Sequence, residues 1–288
     1  MVIVLVVKIN YERARLIAEA LKPYRDQILS LYLKDPQYIA INNLVKARGC
    51  AEASLLVLLN SVVSYNLKVK GEDYWLSFAE YFSHRKNNVD YLTFRDFLTW
   101  SKNTLLLEQK LERVKKILGS PLVPKLYVNP LEYCSNVSRL VDDLSKILGS
   151  TRESKTVVFA AKMYGYLCYA CGQEADYTSI SIPVDFRNAV LSLTSCIVSE
   201  CDEDLYRCAS ELVQSRNASV VREAWSIVCS EIAIPCLHLD TFTWLITRSI
   251  LEEKFDVQRA LVDISGKHGI KISANLLKLL VECAPRYV

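Results

Sequence analysis

The stretch VSRLVDDLSKILGSTRESKTVVFAAKMYGY, residues 137–166, sets how the rest of the 288-residue chain is read. Val137, Leu140, Leu144, Ile147 and Leu148 recur at helical spacing, and Gly149 then closes the run as a helix-terminating glycine does. A second periodic run follows. Val157, Ala161, Tyr164, Cys168 and Cys171 step by 4, 3, 4 and 3, while Lys155, Phe159, Lys162 and Tyr166 step by 4, 3 and 4. At ~100° per residue these stripes lie on roughly opposite sides of one helix. The stretch is therefore helix, glycine turn, helix, although Val157, Val158 and Phe159 alone resemble a strand. Two lysines share a face with two aromatics, and no acid lies inside the run to pair them.

Working outward, helical spacing continues almost throughout. Leu107, Leu111, Val114 and Leu118 step by 4, 3 and 4 with Lys110, Arg113, Lys115 and Lys116 interleaved. Segments 51–67, 209–229 and 240–253 read as helices, and Asp35-Pro36 reads as an N-cap followed by proline at the first helical position. Strands are needed nowhere, although YTSISIPV has an extended pattern. The expected fold class is all-α.

Composition agrees. Apolar residues make up 51% and charged residues 23%, the balance of a globular rather than a disordered chain. Eight glycines and eight prolines are few for a turn-rich β architecture. A net charge of +3 permits a local nucleic-acid patch without demanding one. The opening MVIVLVVKI is too short to span a bilayer and lacks a preceding basic region and a following cleavage site. It reads as a buried end or start-site extension of an intracellular protein, and no later segment reaches transmembrane length. Of the ten cysteines, Cys168 and Cys171 form C-x-x-C, but within a helical repeat rather than at the strand-to-helix turn of a redox motif. Cys201 and Cys208 have the start of an iron–sulfur spacing, but the next cysteine is Cys229, which argues against such a cluster. Most cysteines read as small core residues, with pairing expected if the source is a hyperthermophile.

The lysine face has two readings. From periodicity alone the commoner one is a solvated face with snorkelling lysines. The other is chemical. An amine attacks carbon only when neutral, and burial or a helix N-terminus disfavours the ammonium form. A nucleophilic lysine also needs a carboxylate to manage protons and developing positive charge. The nearest downstream candidate is Asp185 in SISIPVDFRNAV, which reads equally as the N-cap of a helix beginning near Phe186.

Helix, glycine hairpin, a second helix with an early lysine, and then PVD resemble the helix-hairpin-helix DNA glycosylases. The chain is most similar to the archaeal 8-oxoguanine DNA glycosylase family. The blocks carrying the resemblance are KDPQY at 34–38, GEDYW at 71–75, KTVVFAAKM at 155–163, IPVDFR at 182–187 and LHLDTFTW at 237–244, and it covers roughly residues 28 to 253. It implies two helical subdomains with the active-site pocket between them: 1–69 with 185–288, and 70–184, the latter carrying the hairpin motif at about 137–171. By the resemblance, Lys155 is the Schiff-base lysine and Asp185 its carboxylate partner. Trp75 and Trp244 sandwich a flipped base; Gln37 and Asp240 read its edge; Phe159 and Lys162 are further pocket residues. The Pro183 carbonyl accepts a hydrogen bond from the base. 8-Oxoguanine carries hydrogen on N7 where guanine has a lone pair, so an acceptor there attracts one and repels the other. Plainer readings stand beside these: Trp75 and Trp244 as core aromatics, Asp240 as an acid in a helix's first turn, Gln37 as an exposed polar residue.

The family pattern is not followed everywhere. The hairpin has Gly149 alone where two glycines are common, and Lys155 and Asp185 are separated by 30 positions, so a segment near 168–180 must loop out. The implied activity is a bifunctional repair enzyme that excises 8-oxoguanine through a lysine Schiff base and cuts the strand by β-elimination. It needs no metal or organic cofactor. Its expected partner is DNA containing 8-oxoguanine, held by helix N-termini, hairpin amides and basic residues such as Arg152 and Lys146. No membrane and no obligate protein partner are implied, and the expected location is cytoplasmic and DNA-associated. Two rivals remain: a helix-hairpin-helix glycosylase for another damaged base, and a non-catalytic helical DNA-binding protein.

Overall fold

A computed structural model of the chain describes residues 7–85, 89–198 and 204–286. Most of the opening apolar run and Cys201 fall outside these ranges, so the readings placed on them do too. The regular structure of the described residues is helical, apart from one isolated antiparallel bridge between Ile9 and Val198. In chain order the helices are α1 (Tyr11–Leu21), α2 (Arg25–Ser30), α3 (Pro36–Ser61), α4 (Gly71–His84), α5 (Tyr91–Trp100), α6 (Leu107–Leu118), α7 (Leu122–Val128), α8 (Val137–Leu148) and α9 (Lys155–Ala170). There follow α10 (Phe186–Thr194), α11 (Leu205–Leu212), α12 (Ser215–Glu231), α13 (Cys236–Glu252), α14 (Val257–His268) and α15 (Ala274–Val281). No described helix is long and apolar enough to cross a membrane.

The chain divides into two compact units, one formed by 1–32 with 181–288 and the other by 33–180. The first boundary therefore lies at 32/33, where the sequence reading places it at 69/70. The reason is α3, which packs along α9 and α4 of the central unit. Gly49 breaks the helical backbone of α3 (φ 74°, ψ 167°), and beyond it every residue from Ala53 to Ser61 is buried. The helix expected over 51–67 is thus the second limb of α3 and stops at Ser61.

The core of the central unit is aromatic. Phe78 and Phe82 of α4 meet Phe94 and Phe97 of α5 with ring centroids 5.3–5.6 Å apart. Each fully buried phenylalanine stabilises the fold by ~1.5–3 kcal/mol. Two disulfides cross this unit, Cys50–Cys171 and Cys134–Cys168. Cys168 and Cys171 thus each pair with a distant partner rather than with one another. In the other unit, α1 packs on α12 and α15, so both chain ends share one core. The buried Arg13 of α1 donates to the carbonyls of Ser195 and Leu279, and the Trp225 indole donates to Ser192 Oγ at 2.8 Å. Disulfides Cys196–Cys283 and Cys229–Cys236 lie in this unit. None of the described cysteines is free. Pairing thus goes further than the sequence reading allowed, while Cys134, Cys168, Cys229, Cys236 and Cys283 are also buried, as that reading has it.

The α8–α9 hairpin forms where the sequence places it. Gly149 adopts the left-handed conformation (φ 64°, ψ 43°) that ordinary residues avoid. The Ser150 N–H donates to Ser145 O at 2.9 Å and the Gly149 N–H to Lys146 O at 3.3 Å, the paired bonds of a Schellman ending. One glycine suffices because only one residue of the turn needs positive φ: Gly149 alone does so between α8 and α9.

Candidate active site

In the central unit the expected site residues gather around α9. Lys155 is the first residue of this helix, after Ser154 as N-cap, and it is exposed. Of the two features expected around the amine, the helix start is present and burial is not. The face it begins does not stay solvated: Phe159 is half-buried, Lys162 is 3% exposed, and Tyr166 is buried. The solvated-face reading therefore holds for Lys155 and fails for Lys162, whose ammonium lies 5.7 Å from the centre of the Tyr166 ring. Helix α9 can be buried so deeply because α3 lies along it and because it carries Gly165. A Cβ at Gly165 would fall 1.8 Å from the Tyr177 hydroxyl, which donates to Lys162 O.

Gln37 is held to the same helix. Asp35 caps α3, its Oδ1 accepting from the Gln37 N–H at 2.9 Å and its Oδ2 from the Tyr166 hydroxyl at 2.8 Å. This buried carboxylate ties the start of α3 to the middle of α9. Gln37 is itself buried, against the plain reading of an exposed polar residue. Trp75 on α4 is fully buried and meets Phe159 edge-on at 6.0 Å and Phe78 at 5.5 Å. Its indole N–H has no hydrogen-bond partner among the described residues, a rare state for a buried donor. Of the two basic residues expected to hold DNA, Lys146 is exposed, while Arg152 is turned onto α8 by Asp142 and Ser138.

The unit formed by the chain ends carries Pro183, Asp185, Asp240 and Trp244. Asp185 caps α10, Oδ1 accepting from the Asn188 N–H at 2.9 Å. Helix α13 begins at Cys236, not near residue 240, so Asp240 lies in the second turn and is not a first-turn acid. It is buried, and its Oδ1 accepts from Asn188 Nδ2 at 2.8 Å. The same amide nitrogen donates to Pro183 O at 2.8 Å. Trp244, one turn beyond Asp240, is half-buried; the Arg187 guanidinium lies 4.3 Å from its ring centre and donates to its carbonyl oxygen.

Residues 18–277 match the family described as AGOG: N-glycosylase/DNA lyase. The chain belongs to that family. Among its relatives, an N-glycosylase/DNA lyase of Pyrobaculum aerophilum is 34% identical over 234 residues, 78% of this chain and 82% of that one. One from Thermococcus kodakarensis is 32% identical over 279 residues, 93% of this chain and 95% of the relative. The fold agrees with a crystal structure of the 8-oxoguanine DNA glycosylase Pa-AGOG from Pyrobaculum aerophilum, complexed with 8-oxoguanosine. There the TM-score is 0.72 at 27% identity, covering 93% of this chain and 96% of the other. The protein is accordingly a DNA N-glycosylase and DNA-(apurinic or apyrimidinic site) lyase.

Within this AGOG-family chain, sequence reasoning missed three residues that organise the expected site: Asn188, Arg187 and Asp35 in its bond to Tyr166. Asn188 had one legible signal, a polar residue three positions after a capping aspartate inside an apolar run. Its partners Pro183, Asp240 and Thr243 lie 5, 52 and 55 positions away, and no local pattern announces the last two.

Proposed function

We propose that the enzyme excises 8-oxoguanine and that Lys155 is its nucleophile. The observation that carries this reading is the contrast between the two lysines of α9. Lys155 is an exposed primary amine on the first residue after the hairpin, whereas Lys162 is buried beside Tyr166. In the proposed reaction Lys155 Nζ bonds to the sugar C1′ as the C1′–N9 bond breaks, and the base leaves with the electron pair and gains a proton. Asp185 stabilises the cationic sugar and relays protons. The ring opens to a Schiff base, a C2′ proton is removed, and the C3′–O bond breaks by β-elimination, which cuts the strand 3′ to the lesion. Water then hydrolyses the imine and frees the lysine.

Recognition of the base is assigned to Gln37, Trp75, Phe159, Lys162, Pro183, Asp240 and Trp244. Support comes from the relative crystallised with 8-oxoguanosine and from the chemistry of the Pro183 carbonyl, an acceptor suited to N7–H. Flipping the base costs a few kcal/mol of unstacking, which aromatic contacts and edge hydrogen bonds offset.

Borohydride trapping on duplexes bearing 8-oxoguanine, other lesions or a preformed abasic site tests the reading. Lys155→Gln keeps length and polarity but removes the amine, and is expected to abolish base release and trapping while DNA binding persists. Trapping that survives Lys155→Gln and disappears in Lys162→Gln would reassign the nucleophile. Preferential trapping on another lesion would reassign the substrate.

A further inference from the structure

Three of the proposed site groups meet on a residue with no assigned role. Asn188, in the first turn of α10, is fully buried. Its Nδ2 donates to both Pro183 O and Asp240 Oδ1 at 2.8 Å, its Oδ1 accepts from the Thr243 hydroxyl at 2.7 Å, and its backbone N–H donates to Oδ1 of the capping Asp185 at 2.9 Å. A primary amide has two N–H donors, and both are committed. The orientation of the amide is unambiguous. Two acceptors, a carbonyl and a carboxylate, face one end, and only nitrogen satisfies both.

We propose that Asn188 is a positioning residue that aims the base-reading groups for glycosidic cleavage and is dispensable for the lyase step. The inference rests on the reading of Pro183 and Asp240 given under Proposed function. Because Asn188 is buried, it acts through its neighbours rather than on the substrate. A carbonyl oxygen has two lone pairs in its own plane; the bond from Asn188 occupies one, holds that plane in place and leaves the other free for a second donor. The same nitrogen fixes one oxygen of Asp240. Without it, Pro183 O and Asp240 Oδ1 are two neighbouring buried acceptors that have lost the donor they share. Each then loses its bond, and their mutual repulsion turns them apart. The Asp185 cap uses the backbone N–H, so truncating the Asn188 side chain leaves it in place. An abasic site presents no base to read, so the lyase reaction on such a site does not call on Pro183 or Asp240.

The test compares excision of 8-oxoguanine from a duplex with incision of a preformed abasic-site duplex, both under single turnover. Asn188→Ala is expected to slow excision ~100-fold, the scale of an ångström-level misplacement, and to leave abasic-site incision essentially unchanged, because no base is positioned there. Parallel loss of both activities in a folded variant would show a general structural role and overturn the proposal; so would unchanged excision. If Asn188→Ala does not fold, as judged by circular dichroism, the near-isosteric Thr243→Val is measured instead. It removes only the hydroxyl that holds the Asn188 oxygen and should slow excision ~10-fold, the scale of one lost hydrogen bond, again sparing incision. Unchanged excision in that variant overturns the proposal. If the parent enzyme releases no 8-oxoguanine at all, the underlying reading of the substrate fails and takes the inference with it. Excision by the parent with an unresponsive variant sinks the inference alone.

Discussion

The two indoles assigned to the base have unequal surroundings, and truncating each should move a different observable. Trp75 is 0% exposed and packed edge-on against Phe78 and Phe159. Removing so large a buried ring leaves a cavity, and Trp75→Ala should destabilise the fold by ~3–5 kcal/mol. Its unpartnered N–H adds no lost hydrogen bond to that cost. Trp244 is half-buried, and beyond its packing it makes the Arg187 cation–π contact at 4.3 Å. That contact contributes ~0.5–2 kcal/mol depending on its desolvation, so Trp244→Ala should cost about half as much as Trp75→Ala or less. Base stacking on either ring would contribute ~1–3 kcal/mol. The assay is a pair of measurements on each variant in the Lys155→Gln background, where turnover is blocked. Urea unfolding followed by far-ultraviolet circular dichroism gives the stability difference. Fluorescence anisotropy with 8-oxoguanine and undamaged duplexes gives the lesion preference. Trp244→Ala should lower the urea midpoint by no more than about half the shift of Trp75→Ala, yet bind the two duplexes almost equally. Trp75→Ala should unfold at clearly lower urea. The reasoning is refuted if Trp244→Ala is as unstable as Trp75→Ala, or if it keeps the parent's full lesion preference.

Two further expectations concern the scaffold. In the loop-closure model the Cys50–Cys171 disulfide, which spans 121 positions, stabilises by ~5 kcal/mol and Cys229–Cys236, which spans 7, by ~2.5 kcal/mol. Paired alanine replacements, each compared with the parent in oxidising and then reducing buffer, isolate the cross-link from lost packing; a larger effect for Cys229–Cys236 would reject the loop-length account. Lys110 is fully buried, donates to Asn103 Oδ1, and has its pKa pushed down to about 8, first by burial and then by the Arg113 charge. Between about pH 8 and the unfolded value of about 10.4 the unfolded chain binds more protons at this site, so Lys110 makes stability rise with pH across that window. The stability of Lys110→Met relative to the parent should therefore fall by ~3 kcal/mol between about pH 7.5 and about pH 10.5, and a difference independent of pH would contradict the assignment.

Which features were legible follows from the range of the forces that make them. The caps at Asp35 and Asp185 and the Gly149 ending were readable because each is settled within a few residues: a short side chain reaches an N–H two or three positions on, and a left-handed residue needs glycine. The start of α13 was placed four residues late because its N-cap is Pro235, which carries no side-chain hydrogen bond. A helix that begins without that local signal is visible only from its periodicity. The solvated face expected for α9 failed at Lys162 because periodicity reports which residues share a side, not what lies against that side.

Sequence alone therefore determined the helical class, the hairpin, the position of Lys155 at the start of α9 and of Asp185 at the start of α10, since these depend on backbone preferences and short-range capping. Only the tertiary structure decided which unit holds α3, how the cysteines pair, and that Lys162, Gln37 and Trp75 are buried. It alone joined Pro183, Asp185 and Asp240 through Asn188. Burial and pairing are set by segments tens of residues apart that meet when the cores form, and buried polar groups then take whichever partners the packing brings within reach.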